Sequence, residues 1–174
     1  MARRVLVPLD KTARAEKALA ALPVLLSPGD EVLLVSVGEP VQRMQRGMRP
    51  GRIIRGGIHA TAGGATGSVM PDLPVYAETT DQVVQSQLNE LEDYLRSMVP
   101  SLEKLGFQVG VAVEISDNPA HAISDLARRS NATFILMVRS THRTVGERLF
   151  GTVARNVVNE NVAPVMILPD EPSA

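Results

Sequence analysis

A doubly wound α/β protein is the fold class this sequence predicts, and three observations carry that reading. Near-continuous apolar runs at Val5–Leu9, Val32–Val37, Thr133–Val138 and Pro164–Leu168 have the pattern of strands covered on both faces. Segments with apolar residues three and four apart separate them. The resulting order is strand, helix, strand, insertion, helix, strand, helix, strand, helix, strand. That alternation favours a parallel sheet joined by right-handed crossovers, with helices on both faces.

Each element has a local reason. The first run ends at Asp10, and Thr12 can cap a helix carrying Ala15, Leu19, Leu22 and Leu26, which Pro23 bends or shortens. Ser27-Pro28-Gly29-Asp30 is turn chemistry before the second strand. From Glu39 to about Glu78 periodicity disappears, while this stretch holds seven of the thirteen glycines and four of the twelve prolines. Such a long interruption is read as an insertion at 39–78 in one domain spanning 1–174. It is a functional lid, a partly structured excursion or a disordered segment. Val84, Leu88, Leu91, Leu95, Met98, Leu102 and Leu105 then mark one face of a long helix ending at Gly106, kinked or divided at Pro100. Phe107, Val109, Val111, Val113 and Ile115 alternate with polar or small residues, so this strand is expected nearer an edge. Asn118-Pro119 reads as a cap followed by proline at the first helical position, with Ala122, Ile123, Leu126 and Ala127 facing inward. Gly151-Thr152 opens a last helix carrying Val153, Val157 and Val158.

Bulk properties narrow the function classes. The chain has 174 residues, of which 44% are hydrophobic and 21% charged, enough for a sizeable core. A formal charge of −1 makes nucleic acid an unexpected partner. The absence of cysteine removes disulfides, thiolate metal sites and cysteine catalysis together. The apolar run at Val5–Leu9 is too short for a signal-peptide core or a membrane span, so a cytoplasmic location with no membrane partner is the expectation.

Val5-Leu-Val-Pro-Leu-Asp10, Thr12 and Ala15-Glu-Lys-Ala-Leu19 resemble the opening of universal stress proteins. The second half is similar to the family as well: Asn118-Pro-Ala-His-Ala-Ile123, Ala132-Thr-Phe-Ile-Leu-Met-Val138, Glu147-Arg-Leu-Phe-Gly151-Thr-Val-Ala154 and Ala163-Pro-Val-Met-Ile-Leu168. The similarity extends over about 130 residues and leaves out the insertion. It implies a Rossmann-like five-stranded parallel sheet of order 3-2-1-4-5, a homodimer formed through the last strand, and ATP with Mg as the candidate cofactor.

The family's ATP-binding branch carries Gly-x-x-Gly after the fourth strand, then nine residues, then Gly and Ser or Thr. Glycines let backbone amides approach phosphates, and the final pair opens a helix whose orphan amides favour anions. Here Gly151-Thr152, followed by Val153, keeps the last part, while Val138 and Thr141 stand at the two earlier glycine positions. A loop one residue shorter, with Gly146 in a neighbouring role, does not restore the pattern. The adenine side is better kept. Pro8, Leu9 and Asp10 match the end of strand one, Val35 or Val37 the strand-two backbone that borders the base, and Met137 the end of strand four. Asp10 also suits a plain helix-entry turn, and Gly151-Thr152 a plain helix start.

Arg43, Arg46, Arg49, Arg52 and Arg55 recur at every third residue, with no acidic residue from Val41 through Ala60. Three readings stand: a basic lid over phosphates, an electrostatic contact with RNA, DNA or an acidic partner, or a solvated, mobile insertion. Arg139, His142, Arg143, Arg148 and Arg155 form a second basic cluster. His59 and His121 lack the paired spacing of a metal site, and Ser36, Ser116, Ser124 and Ser140 sit in no nucleophile elbow. No catalytic residue is therefore assigned, and the expectation is a regulatory or protective dimer in the stress response that binds an adenine nucleotide weakly or not at all. The alternative is slow ATP hydrolysis beneath an arginine lid.

Overall fold

The computed structural model describes residues 2–40, 80–139 and 151–170. Most of the expected insertion, the Arg43–Arg55 series, His59, Thr141 and His142 lie outside the described residues. The elements are β1 (Arg4–Pro8), α1 (Ala13–Leu25), β2 (Glu31–Gly38), α2 (Thr80–Arg96), α3 (Val99–Glu103), β3 (Gln108–Ile115), α4 (Pro119–Arg129), β4 (Phe134–Val138), α5 (Thr152–Glu160) and β5 (Val165–Leu168). All strand pairs are parallel, and the sheet runs β3-β2-β1-β4-β5.

The apolar runs are continuous because the sheet is covered twice. Along β1 the side chains alternate between two cores: Val5, Val7 and Leu9 pack with Ala18 and Leu22 of α1, Leu95 of α2 and Leu102 of α3. Leu6 turns the other way, joining Val35 and Ile135 against Ala120, Ile123 and Ala127 of α4 and Val157 of α5. Fully burying a leucine such as Leu6 or Leu22 contributes about 2 kcal/mol, so each face holds its own helices.

The capping expectations hold. Thr12 accepts from the Ala15 amide at 3.2 Å and Asn118 Oδ1 from the His121 amide at 3.3 Å, with Pro119 in the first turn of α4. Each such cap is worth about 1 kcal/mol. Pro23 lies inside α1, which runs on to Leu25. The long helix is divided at Ser97-Met98, and Pro100 falls in the first turn of α3, where a missing amide costs nothing.

Three details differ from the sequence reading. Helix α3 stops at Glu103 and leaves Leu105 exposed, because Gly106 takes a φ of +88° that ends the helix and returns the chain to β3. Of the three valines on α5 only Val157 is buried; Val153 and Val158 face outward. Strand β1 ends at Pro8 rather than Leu9. Strand β3 is at the sheet edge, as its alternation implied.

Candidate functional site

Order 3-2-1-4-5 places a switch point between β1 and β4. From there α1 leads to β2 on one side and α5 leads to β5 on the other, so the carboxyl ends of β1 and β4 diverge and leave a crevice. The residues singled out from sequence lie toward this edge: Pro8 ending β1 with Leu9 and Asp10 after it, Val35 and Val37 on β2, Met137 and Val138 ending β4, and Gly151, Thr152 and Val153 opening α5.

The β1–β2 ladder stops in a specific way. Glu31 N–H donates to Arg3 C=O and Leu9 N–H to Val35 C=O at 2.8 Å, so the odd-numbered residues of β2 turn their backbone groups toward β1. In parallel register Val37 N–H would next donate to Leu9 C=O. No such bond forms; Leu9 C=O instead accepts from the buried Ser36 hydroxyl at 2.9 Å. The chain has turned away at Lys11, which has a φ of +61°. Val37 therefore presents a donor and an acceptor beyond the last rung, unmatched by any backbone group among the described residues. Val35, by contrast, is fully buried with its carbonyl engaged by Leu9.

Asp10 is exposed, and its Oδ1 accepts from the Thr12 amide at 3.1 Å and the Thr12 hydroxyl at 2.5 Å. This is the helix-entry turn, and it holds the carboxylate at the mouth of the crevice. Val138 is the last residue of β4, paired with Leu168 and packed against the α1 side of the core. Met137 packs on the opposite side with the α4–α5 cluster. Gly151 caps α5 without a side-chain hydrogen bond, and its carbonyl accepts from Arg155 N–H. Its first-turn amides have no side-chain acceptor at the cap, the state in which a helix start attracts anions.

Helix α2 lies on the α1 side of the sheet, over β2 and β3. Lys11 Nζ meets Glu90 Oε1 at 2.6 Å, and the Tyr94 hydroxyl donates to Glu16 Oε1 at 2.9 Å, which ties α2 to α1. Burial, with the Glu16 carboxylate next to it, pushes the Tyr94 hydroxyl pKa well above its ordinary value. Over the end of β2, α2 lies close to Gly38: a β-carbon there would stand 2.7 Å from Ile115 Cδ1 and 2.8 Å from Gln87 Nε2. Sequence reasoning missed Gln87 and the Ser36 hydroxyl. A signal for Gln87 existed, since it falls three residues after Val84 and four before Leu91, a polar residue inside an apolar stripe.

The universal stress protein family model matches residues 67–169, more than half of the chain. The chain belongs to the universal stress protein family. Solved structures extend the likeness to the first βαβ unit, which lies outside the matched residues. The hypothetical protein MJ0577, whose biochemical function was assigned from its structure, superposes with a TM-score of 0.70 at 19% identity over 99% of each chain. A universal stress protein in complex with cAMP gives 0.56 at 12% identity, covering 98% of each chain. A family member from Arabidopsis thaliana with AMP bound gives 0.53 at 16% identity over 96% of this chain and 91% of that one. No curated protein sequence matches the chain. At these identities the structures establish the Rossmann-like fold of this universal stress protein. Among the described residues no helix is long and apolar enough to cross a membrane.

Proposed function

We propose that this universal stress protein is a regulatory or protective dimeric module that binds an adenine nucleotide weakly in the crevice between β1, β2 and β4. The observation that carries the reading is the missing rung at Val37. A backbone donor beside a backbone acceptor at a switch point complements the edge of a flat heterocycle such as adenine. Pro8 and Met137, which are only partly buried, offer apolar contacts beside it, and Asp10 is placed to accept from ligand hydroxyls. The two structural relatives that hold cAMP and AMP support an adenine nucleotide over other ligands.

Weakness follows from the phosphate side. Side chains at Val138 and Thr141 deny the close backbone approach that glycines allow. The amides of Thr152 and Val153 remain as the phosphate seat. Magnesium would enter with the phosphates, as a partner of the nucleotide. Among the described residues no group of three or more His, Asp or Glu side chains is arranged to hold a metal ion.

Calorimetric titration with ATP and magnesium at two salt concentrations tests the reading. A dissociation constant of tens to hundreds of micromolar, about −5 to −7 kcal/mol, is expected. Absence of heat, with an unchanged melting temperature, would remove the nucleotide from the proposal. The uncapped first turn of α5 favours one second reading, ATP bound and slowly hydrolysed. Phosphate release no faster than in buffer eliminates it.

A further inference from the structure

Ser36 is the one polar residue in the apolar run Val32–Val37, and it is only 2% exposed. Burying a hydroxyl carries a desolvation cost that alanine or valine would not bring to the same strand position. Packing alone gives no reason for serine here. Its hydrogen bond does, because the hydroxyl donates at 2.9 Å to the carbonyl of Leu9, a residue itself only 3% exposed.

That carbonyl is the group Val37 N–H would serve if the β1–β2 ladder ran one rung further. A buried backbone carbonyl requires a donor, and a β2 without the hydroxyl would draw on the Val37 amide to provide it. Ser36 meets the requirement from the neighbouring position and so releases that amide. The opening is not the fraying of a strand end. Strand β2 stays paired with β3 through Gly38, whose carbonyl accepts from Ser116 N–H at 2.9 Å, and the preceding rung, Leu9 N–H to Val35 C=O, is intact at 2.8 Å. A single rung is unmade on one side of a strand that is otherwise held on both.

We propose that Ser36 is a positioning residue for the crevice: by holding the Leu9 carbonyl, it keeps the Val37 amide available as a hydrogen-bond donor to the base of a bound adenine nucleotide. Ser36 touches no ligand and acts only through Leu9. The inference rests on the crevice being an adenine-nucleotide site, and it adds to that reading the residue that prevents the sheet from consuming the site's backbone donor.

The test follows Val37 amide exchange by NMR in the full chain, in Ser36→Ala and in Ser36→Thr, with and without AMP, alongside calorimetric titration of each with AMP. In the ligand-free wild type Val37 N–H should exchange rapidly, and AMP should slow it. In Ser36→Ala the rung should close, slowing ligand-free exchange at Val37 roughly tenfold or more, while AMP binding weakens about fivefold to tenfold, the worth of one hydrogen bond. Ser36→Thr keeps the hydroxyl and should restore both values. A serine that only fills the core would lower the melting temperature on substitution and leave Val37 exchange where it was, and that result overturns the proposal even if AMP binds. So does a Val37 amide already protected in the ligand-free wild type, a measurement that decides the matter if Ser36→Ala does not fold. Should the wild type bind no AMP while Val37 exchange responds to Ser36→Ala, the adenine-site reading has failed, and the positioning role falls with it.

Discussion

Asp30 shows what one residue can do at the amino edge of the sheet. Only 5% of it is exposed, and its carboxylate accepts from Ser27 N–H at 2.9 Å and from Arg3 N–H at 2.8 Å, with the Arg3 guanidinium also at 2.8 Å. The Ser27 and Arg3 amides, helped by the guanidinium, hold the Asp30 pKa below its ordinary 3.8. A lowered folded-state pKa means stability that is present above the unfolded value and lost as pH falls through the folded one. Asp30→Asn should therefore melt below the wild type at pH 7, with the gap closing between about pH 5 and pH 2. A gap that persists at low pH would show that the loss is steric rather than ionic. Val138 carries a different trade. It is a paired strand residue packed on the core, so Val138→Gly should cost about 1–2 kcal/mol and lower the melting temperature by roughly 2–8 °C. Combined with Thr141→Gly, the same change should tighten ATP binding by restoring backbone approach. Titration of the double variant checks this, and unchanged affinity would locate the weakness elsewhere in the site.

At the scale of elements, α2 is seated closely on the end of β2. Gly38 makes that approach possible, since a β-carbon would come within 3.0 Å of Leu91 Cδ1 as well as meeting Ile115 and Gln87. Gly38→Ala should cost about 1–3 kcal/mol as overpacking, and amide exchange should rise most in the first half of α2. Uniform protection across α2 would mean that the neighbouring side chains yield instead. Much of this level was legible in advance. Caps at Thr12 and Asn118, the break ahead of Pro100 and the edge position of β3 all follow from short-range sterics and from which side chains need burial. Gln87 was legible as an anomaly in the stripe, but its approach to the end of β2 depends on where Gly38 lies, and those two residues are 49 positions apart.

For the whole molecule the open question is what covers β5. Val165 and Ile167 turn their backbone groups away from β4, whose Ile135 and Arg139 amides donate to Pro164 and Leu168. Beside this edge Met166 and Val158 are exposed, and a shallow cavity of about 300 Å³ is lined by Val158, Asn161, Val162, Ala163, Pro164 and Val165. A second copy pairing along β5 would satisfy both the strand edge and the apolar surface. Light scattering should give twice the chain mass for the wild type, and Met166→Glu should shift it to the monomer. A monomeric wild type at micromolar concentration would end the dimer proposal.

Taken alone, the sequence determined the succession of elements, the two-sided burial of the central strands and the helix starts, because these arise from residues within a few positions of one another. The tertiary structure decided what the carboxyl edge offers a ligand. The unmade rung at Val37 exists because Ser36 takes the Leu9 carbonyl while Lys11 turns the chain away, and Gln87 meets the end of β2 because α2 returns over Gly38. Both depend on the register between segments distant in the chain, and no local pattern of residues encodes that register.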